Sequence, residues 1–175
     1  MSDSLSARVF EAFSEDIRAT PAITLRGGNA LDEYKEPQNF DPTVDAVSDS
    51  YFEGYWWGIA HLDPPSWRYY LPHLIEYSLR RKHEYSMVID SLLTSLRPPD
   101  REPARLASLS PQQESVVSDF LDVMAFDDRS VHQALACTAL EEWWAPGAVY
   151  RPSAAEPGDA PDRLPAGSRP PTNGR

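Results

Sequence analysis

The sequence predicts an all-α fold, a compact bundle-like domain of about five to six helices. Three observations indicate this fold: apolar residues recur at the 3.6-residue period, N-cap signals precede several of these runs, and proline ends two of them. Hydrophobic residues make up 41% and charged residues 25% of the 175 residues, which is typical of a soluble globular protein. We expect the helical domain over residues 1–146 and a disordered tail over residues 147–175.

The first helix is expected to start at Ser4, a suitable N-cap, and to end at Pro21. The following region, residues 22–60, is harder to assign. Within it, GGN at 27–29 indicates a turn, ALDEYKE at 30–36 fits a short helix, and a short β element is left open. The apolar face of the first helix follows the helical period and consists of Leu5, Val9, Phe10, Phe13 and Ile17.

In the middle of the chain, Asp63 and Pro64 are suited to the N-cap and first positions of a helix. Pro72 lacks an N–H group and disfavours helical geometry at the preceding residue. The sequence therefore predicts a short helical turn over 64–70 and a separate helix over 72–81. Another helix is expected over 85–96, with a core face of Val88, Ile89, Leu92, Leu93 and Leu96.

Two further helices have capping signals, Ser110 followed by Gln113 and Ser130 followed by Gln133. The short connection between them predicts an antiparallel helical hairpin. Their apolar residues are Val116, Val117, Phe120, Leu121, Val123, Met124 and Phe126 in the first, and Leu135, Ala136, Ala139, Leu140, Trp143 and Trp144 in the second.

The predicted tail, residues 147–175, contains six prolines and four glycines and has few large apolar residues. Such a segment cannot bury enough apolar surface to offset the entropy lost on ordering. Cys137 is the single cysteine, which excludes an internal disulfide and favours the cytoplasm. We see no secretory signal and no apolar run long enough to span a bilayer, so we expect a soluble protein.

The charge distribution is strongly acidic, with a formal net charge of −11. Within the predicted domain, only the central region is net positive: residues 64–105 carry seven basic and five acidic side chains, or +2. The acidic flanks would repel phosphate groups, so we expect neither nucleic acid nor an anionic membrane as a partner. A basic protein partner suits this surface better.

Three stretches resemble an uncharacterised bacterial family of unknown function, whose members carry a Tyr-Tyr-Leu-Pro helix, a Ser-Leu-Leu helix and a Thr/Ser-Pro-Glu-Gln helix in this order. The resemblance covers roughly residues 50–145 and implies a compact helical domain without a known activity. His73 stands where the family has a small residue after the proline, so no role for it is carried over. The stretches are WRYYLPHLIEYSL (67–79), DSLLTSLRPP (90–99) and LSPQQESVVSDFLDVMA (109–125).

Four residues could contribute to a metal or ligand site: His61, Asp63, His73 and Glu76. His73 and Glu76 share one helical face, but a metal ion needs about three converging protein ligands. The nucleotide-binding and nucleophile-elbow fingerprints are not found in the sequence. We therefore predict no catalytic residue, no metal ligand and no cofactor, and keep a small enzyme or ligand or metal binder around these four residues as the alternative.

The densest feature is an aromatic cluster, with nine large aromatic residues within the 27 residues 51–77. Helical spacing assigns Trp67 and Tyr70, with Leu71 and Leu74, to the core. The adjacent residues 56 and 57 are both Trp, should point in different directions and cannot both be buried. Because Tyr, Trp and Arg dominate interaction hot spots, we predict a partner-binding surface made of Trp56, Trp57, Tyr69, His73, Glu76, Arg80 and Arg81.

Together these features predict a non-catalytic intracellular protein-interaction module. An immunity protein that neutralises a toxin, or an accessory factor, would fit this description if its partner is a basic protein. The prediction depends on the acidic charge, the missing catalytic motifs and the excess of aromatic residues beside a small basic edge.

Overall fold

The structure, a computed structural model, describes residues 2–98 and 103–152. This part of the chain forms eight α-helices and no strand, which confirms the all-α prediction but exceeds five to six helices. Residues 22–60, where a β element was left open, are helical or irregular. The helices are α1 (Ser2–Ala12), α2 (Leu25–Asp32), α3 (Asp49–Tyr55), α4 (Pro64–Arg81), α5 (Met87–Ser95), α6 (Ala104–Ala107), α7 (Pro111–Phe126) and α8 (Gln133–Ala139).

Helix α1 packs against α4 and α7 and buries three of its predicted core residues, Leu5, Val9 and Phe13. It ends at Ala12, earlier than predicted, and a 3-10 turn, Asp16–Arg18, carries the chain onward. None of the helices in the described ranges is long and apolar enough to cross a membrane.

Helix α2 contradicts the predicted turn, because Gly27, Gly28 and Asn29 lie inside it. It packs against a 3-10 segment, Trp56–His61, so closely that a Cβ atom on Gly28 would lie 2.7 Å from the Cα atom of Gly58. Likewise, a Cβ atom on Gly58 would lie 2.8 Å from the carbonyl carbon of Leu25. Gly28 and Gly58 therefore allow the two backbone segments to cross in direct contact, which a residue with a Cβ atom would prevent.

Helix α4 contradicts the predicted break, because it continues through Pro72 for 18 residues. An interior proline costs about 3 kcal/mol, whereas burial of one large apolar side chain contributes about 1.5–3 kcal/mol. Both halves of α4 are buried, so burial outweighs the cost of the proline. The predicted core residues Trp67, Tyr70, Leu71 and Leu74 are all fully buried.

Helices α7 and α8 pack against each other, as the predicted hairpin requires. Ser110 and Gln113 form the predicted capping box of α7. Ser130 does not cap α8, because its hydroxyl accepts a hydrogen bond from the His132 amide in the connecting turn, and α8 begins at Gln133. Phe126, predicted in the core, is 69% exposed at the end of α7.

After α8 the chain continues as a π-helical segment, Leu140–Trp144, which buries Trp143 and Trp144. The first residues of the predicted tail stay attached to this segment: the amides of Val149 and Tyr150 donate to carbonyl oxygens of the segment, each over 3.0 Å. The rest of the predicted tail, residues 153–175, lies outside the described residues.

Candidate binding cleft

A cleft of about 680 Å³ opens between the 3-10 segment Trp56–His61, α5 and α6. This volume falls within the range of about 300–1,000 Å³ that is usual for ligand sites. Its lining is mainly apolar, with two exposed side chains at its opening, Trp57 at 56% and Met87 at 52%. Apolar surface of this kind marks a binding site more often than a stable free surface.

The two tryptophans of the cleft stack on each other, with ring centroids 3.8 Å apart and planes inclined by 24°. The prediction that Trp56 and Trp57 point in different directions is therefore wrong. The chain leaves helical geometry at Tyr55 (φ −132°, ψ 25°), and the change into the 3-10 segment brings the two rings together. The glycine crossing at Gly58 follows directly and anchors the backbone of the pair.

Helix α5 separates the cleft from the core. Its core face carries Val88, Ile89, Leu92 and Leu93, all buried. Its opposite face is turned to the cleft, and the spacing of three to four residues matches the helical period. The side chains on the cleft face are Met87, Asp90, Ser91 and Thr94.

Arg105 of α6 contributes a cation to the cleft wall. Its guanidinium donates hydrogen bonds to the carbonyl oxygens of Ile59, over 3.1 Å, and Ala60, over 2.5 Å. Among the described residues no carboxylate forms an ion pair with it, and burial lowers the pKa of Arg105. Its charge is therefore held beside the tryptophans without a counter-charge from the described part of the chain.

Arg97, the other cation of the cleft, differs in this respect. It donates two hydrogen bonds to the carboxylate of Glu142, over 2.8 and 2.7 Å. These hydrogen bonds raise the pKa of Arg97 and lower the pKa of Glu142. This bidentate pair is neutral as a whole.

Asp90, the acidic side chain of the described cleft lining, is also held by a neighbouring side chain. Its carboxylate lies 2.8 Å from Nδ1 of the buried His132, whose Nε2 lies 2.8 Å from the carbonyl oxygen of Glu84. The Glu84 carbonyl oxygen only accepts hydrogen bonds, so Nε2 donates to it, and Nδ1 faces the Asp90 carboxylate. In the described lining, Asp90 and Arg97 thus each have a side-chain partner, whereas Arg105 has no carboxylate partner among the described residues.

The predicted basic edge lies on another part of the molecule, at the end of α4. Arg80 donates to Asp49 over 2.8 Å and to Glu76 over 2.6 Å, and Arg81 donates to the other oxygen of Asp49 over 3.0 Å. The hydrogen bonds that Arg80 donates to Asp49 and Glu76 raise the pKa of Arg80, and the hydrogen bonds from Arg80 and Arg81 lower the pKa of Asp49. We call these four residues the paired-arginine face; Arg81 also forms ion pairs with Glu53 and Glu84, over 3.6 and 3.4 Å.

Tyr69 and His73 form a third location, where α4 meets α1. The His73 ring packs edge-on against Phe10 with centroids 5.1 Å apart, and Tyr69 is half-buried beside it. Burial lowers the pKa of His73, against the opposing charge of Glu76. The seven predicted partner-binding residues are therefore spread over three places, and only Trp56 and Trp57 line the cleft.

The alternative four-residue site is not assembled either. His61 lies 3.0 Å from Asp32 through Nε2, and Asp63 precedes α4 at its N-cap position. His73 lies ten residues further along α4, about 15 Å at the usual helical rise. Within residues 2–98 and 103–152, no group of three or more His, Cys, Asp or Glu side chains is placed to hold a metal ion.

Sequence reasoning missed the residues that give the cleft its polar character, Asp90, Arg97 and Arg105. One signal was available: residues 87, 90, 91 and 94 follow a helical period on the face of α5 opposite its apolar residues. No local signal relates Arg105 to a tryptophan about 50 positions earlier. Their proximity is a property of the tertiary structure.

A family model described as a family of unknown function (DUF6714) matches residues 1–148. The match includes the region 50–145 that carried the resemblance and extends it to the N-terminus. Comparisons with curated proteins and with solved structures find no match.

Proposed function

The chain belongs to this family of unknown function, and we propose that it is a non-catalytic protein-interaction module that binds its partner in the Trp56–Trp57 cleft. The observation that carries the proposal is the stacked tryptophan pair, with Trp57 more than half exposed at the opening of the cleft. Tryptophan is among the residues most enriched in interaction hot spots, where an apolar pocket surrounds a large anchor.

The polar groups of the cleft support binding rather than catalysis. Asp90 is engaged by His132, Arg97 is engaged by Glu142, and the Ser95 hydroxyl donates to Leu92 and accepts from Trp67. A nucleophile needs a neighbouring base that is free to take its proton. The described lining offers no such pair.

The proposed setting is the cytoplasm of a bacterial cell, in keeping with the single cysteine and the family resemblance. The net charge of −11 would attract a partner with a basic surface around the cleft. An immunity or accessory role is one form that such an interaction takes. The alternative site at His61, Asp63, His73 and Glu76 has no geometric support comparable to the cleft.

Site-specific photo-crosslinking tests the proposal. A benzoylphenylalanine in place of Met87, at the cleft opening, should form a discrete adduct in cells; the same group in place of the fully exposed Tyr34 should not form it. Excess unlabelled wild-type protein should suppress the adduct, and Trp57→Ala protein should compete at least tenfold less well. Equal competition by both proteins would contradict the cleft as the interface.

A further inference from the structure

We infer that the cleft recognises the C-terminal residue of a partner polypeptide, an aromatic side chain together with its free α-carboxylate. The aromatic ring packs on Trp56 and Trp57, and the carboxylate pairs with Arg105. The inference deepens the proposed interaction role, because it names the chemistry that the partner presents.

The apolar wall of the cleft suits a flat ring. The face of the tryptophan stack offers offset stacking, which is worth about 0.5–1.5 kcal/mol beyond the burial of apolar area. Leu62 and Leu106 line the same space and are buried, so the wall behind the tryptophans is preformed. An aromatic side chain fits within about 680 Å³ and leaves room for neighbouring main chain.

Arg105 favours a negative charge on the ligand. Arg97 is paired with Glu142 and Asp90 is bound by His132, whereas Arg105 has no carboxylate partner among the described residues. A cationic ligand would be repelled by Arg105. A phosphate dianion would bring a second negative charge into a cleft that already contains Asp90.

The position of Arg105 suits a carboxylate attached close to the ring. Its hydrogen bonds to Ile59 and Ala60 tie the guanidinium to the 3-10 segment that also carries the tryptophans. The guanidinium of Arg105 and the tryptophan pair are thus both fixed to the same short segment. A guanidinium has five N–H donors in a planar fork that matches a carboxylate, and these two hydrogen bonds use two of them.

The rest of the cleft favours a polypeptide over a free small acid. Ser91 and Thr94 present hydroxyl groups on the cleft face of α5, and neither side chain is hydrogen-bonded to another residue in the described ranges. Backbone amide and carbonyl groups of a peptide are suitable partners for them. Met87 and Trp57 extend the apolar surface to the opening, where a chain leading away from the cleft would cover it.

Calorimetric titration with two matched pairs of probes tests the inference. The first pair is N-acetyl-tryptophan and its neutral amide. The second is an acetylated pentapeptide of four alanines and a C-terminal tryptophan, with a free carboxylate or an amide at its end. We expect each acid to bind at least tenfold more tightly than its amide, and the peptide acid at least tenfold more tightly than N-acetyl-tryptophan.

The variant Arg105→Met should remove the preference for the acid and leave the affinity for the amide within about twofold, since the apolar wall is intact. Arg80→Met, on the paired-arginine face, is the matched control and should keep the preference. If Arg105→Met protein does not fold, the wild-type preference should still fall at least threefold between 50 mM and 500 mM salt, because it depends on an ion pair.

Acid and amide binding equally well, or neither binding to wild-type protein, would overturn the inference. N-acetyl-tryptophan binding as tightly as the peptide acid would overturn the assignment to a polypeptide end. These failures differ from failure of the proposed function: a Trp57-dependent crosslink without a carboxylate preference preserves the interaction role alone, whereas acid binding without any crosslink contradicts that role.

Discussion

The cleft and the paired-arginine face both place arginines beside aromatic rings, yet they differ in how the charge is compensated. On the paired-arginine face, Arg81 lies 5.1 Å from the Tyr77 ring, and the carboxylates of Asp49 and Glu76 accept hydrogen bonds from the two arginines. In the cleft, Arg105 lines the same space as the tryptophan pair and bonds only to carbonyl oxygens in the described structure. Composition alone therefore does not distinguish a structural ion network from a binding surface.

The comparison separates stability from binding. Substitutions on the paired-arginine face should change the free energy of unfolding and leave ligand binding intact. Substitutions of exposed cleft residues should do the opposite, because these side chains make few contacts in the free protein. Four predictions test this separation, beginning with the largest expected effect.

Gly28→Ala should lower the free energy of unfolding by about 3 kcal/mol, the upper part of the usual range for overpacking. The added methyl group would overlap the backbone of Gly58 and displace the segment that carries the tryptophans. Urea denaturation measures the effect. Gly54→Ala is the control: its Cβ atom meets nothing within 4 Å, so it should stabilise α3 by about 0.5–1 kcal/mol. Equal stability of the two variants would disprove the close crossing.

His132→Ala should lower the free energy of unfolding by about 2 kcal/mol, since it leaves the Glu84 carbonyl without its donor and the Asp90 carboxylate without its partner. His83→Ala, at an exposed position of the α4–α5 connection, is the control and should have little effect. An equal loss of stability in the two variants would contradict the two contacts assigned to the His132 ring.

Asp49→Asn should lower the free energy of unfolding by no more than about 1 kcal/mol, because the network that it shares with Arg80 and Arg81 is largely solvent-exposed. The effect should shrink at high salt, and probe binding should stay within twofold of wild type. Trp57→Ala should have the opposite effect: the free energy of unfolding should change less than the free energy of probe binding. Thermal denaturation and calorimetric titration of both variants measure these two quantities.

The smallest effect concerns pH. Burial lowers the folded-state pKa of His73 below its ordinary value near 6.5. As the pH falls, the unfolded chain therefore takes up the proton before the folded protein does. The contribution of neutral His73 to the free energy of unfolding is complete above pH 6.5, and it is lost as the pH falls from there through the folded-state pKa. In His73→Gln protein, the urea concentration at the unfolding midpoint should change less between pH 7 and pH 5 than it does in wild type. An unchanged profile would contradict burial of the neutral ring.

A second fall in the free energy of unfolding is expected below about pH 4. There the carboxylates with lowered pKa values, such as Asp49 and Asp127, become protonated and their ion pairs are lost. Lys82 holds Asp127 by a hydrogen bond of 2.7 Å, which is the main reason that the pKa of Asp127 is lowered. This second fall in stability should persist in His73→Gln protein, which makes it an internal control for the measurement.

Much of the fold could be predicted from local pattern. The buried face of α5 and the capping box of α7 both follow from residues within one or two helical turns, where the sequence contains the whole interaction. The candidate site was predicted only in part: the tryptophan pair was identified, but its stacking and its neighbours were not. Tyr69, His73, Glu76, Arg80 and Arg81 were grouped with it because they are close in sequence, and the structure places them elsewhere.

The sequence by itself determined that the chain is helical, which faces of its helices are apolar, and that its surface is acidic. The tertiary structure alone decided that α4 tolerates Pro72, that Gly28 and Gly58 meet, and which arginines bind a carboxylate within the described part of the chain. The physical reason is distance along the chain. Arg80 and Asp49 are 31 positions apart and Arg97 and Glu142 are 45 apart, so the compensation of each charge depends on how distant segments pack.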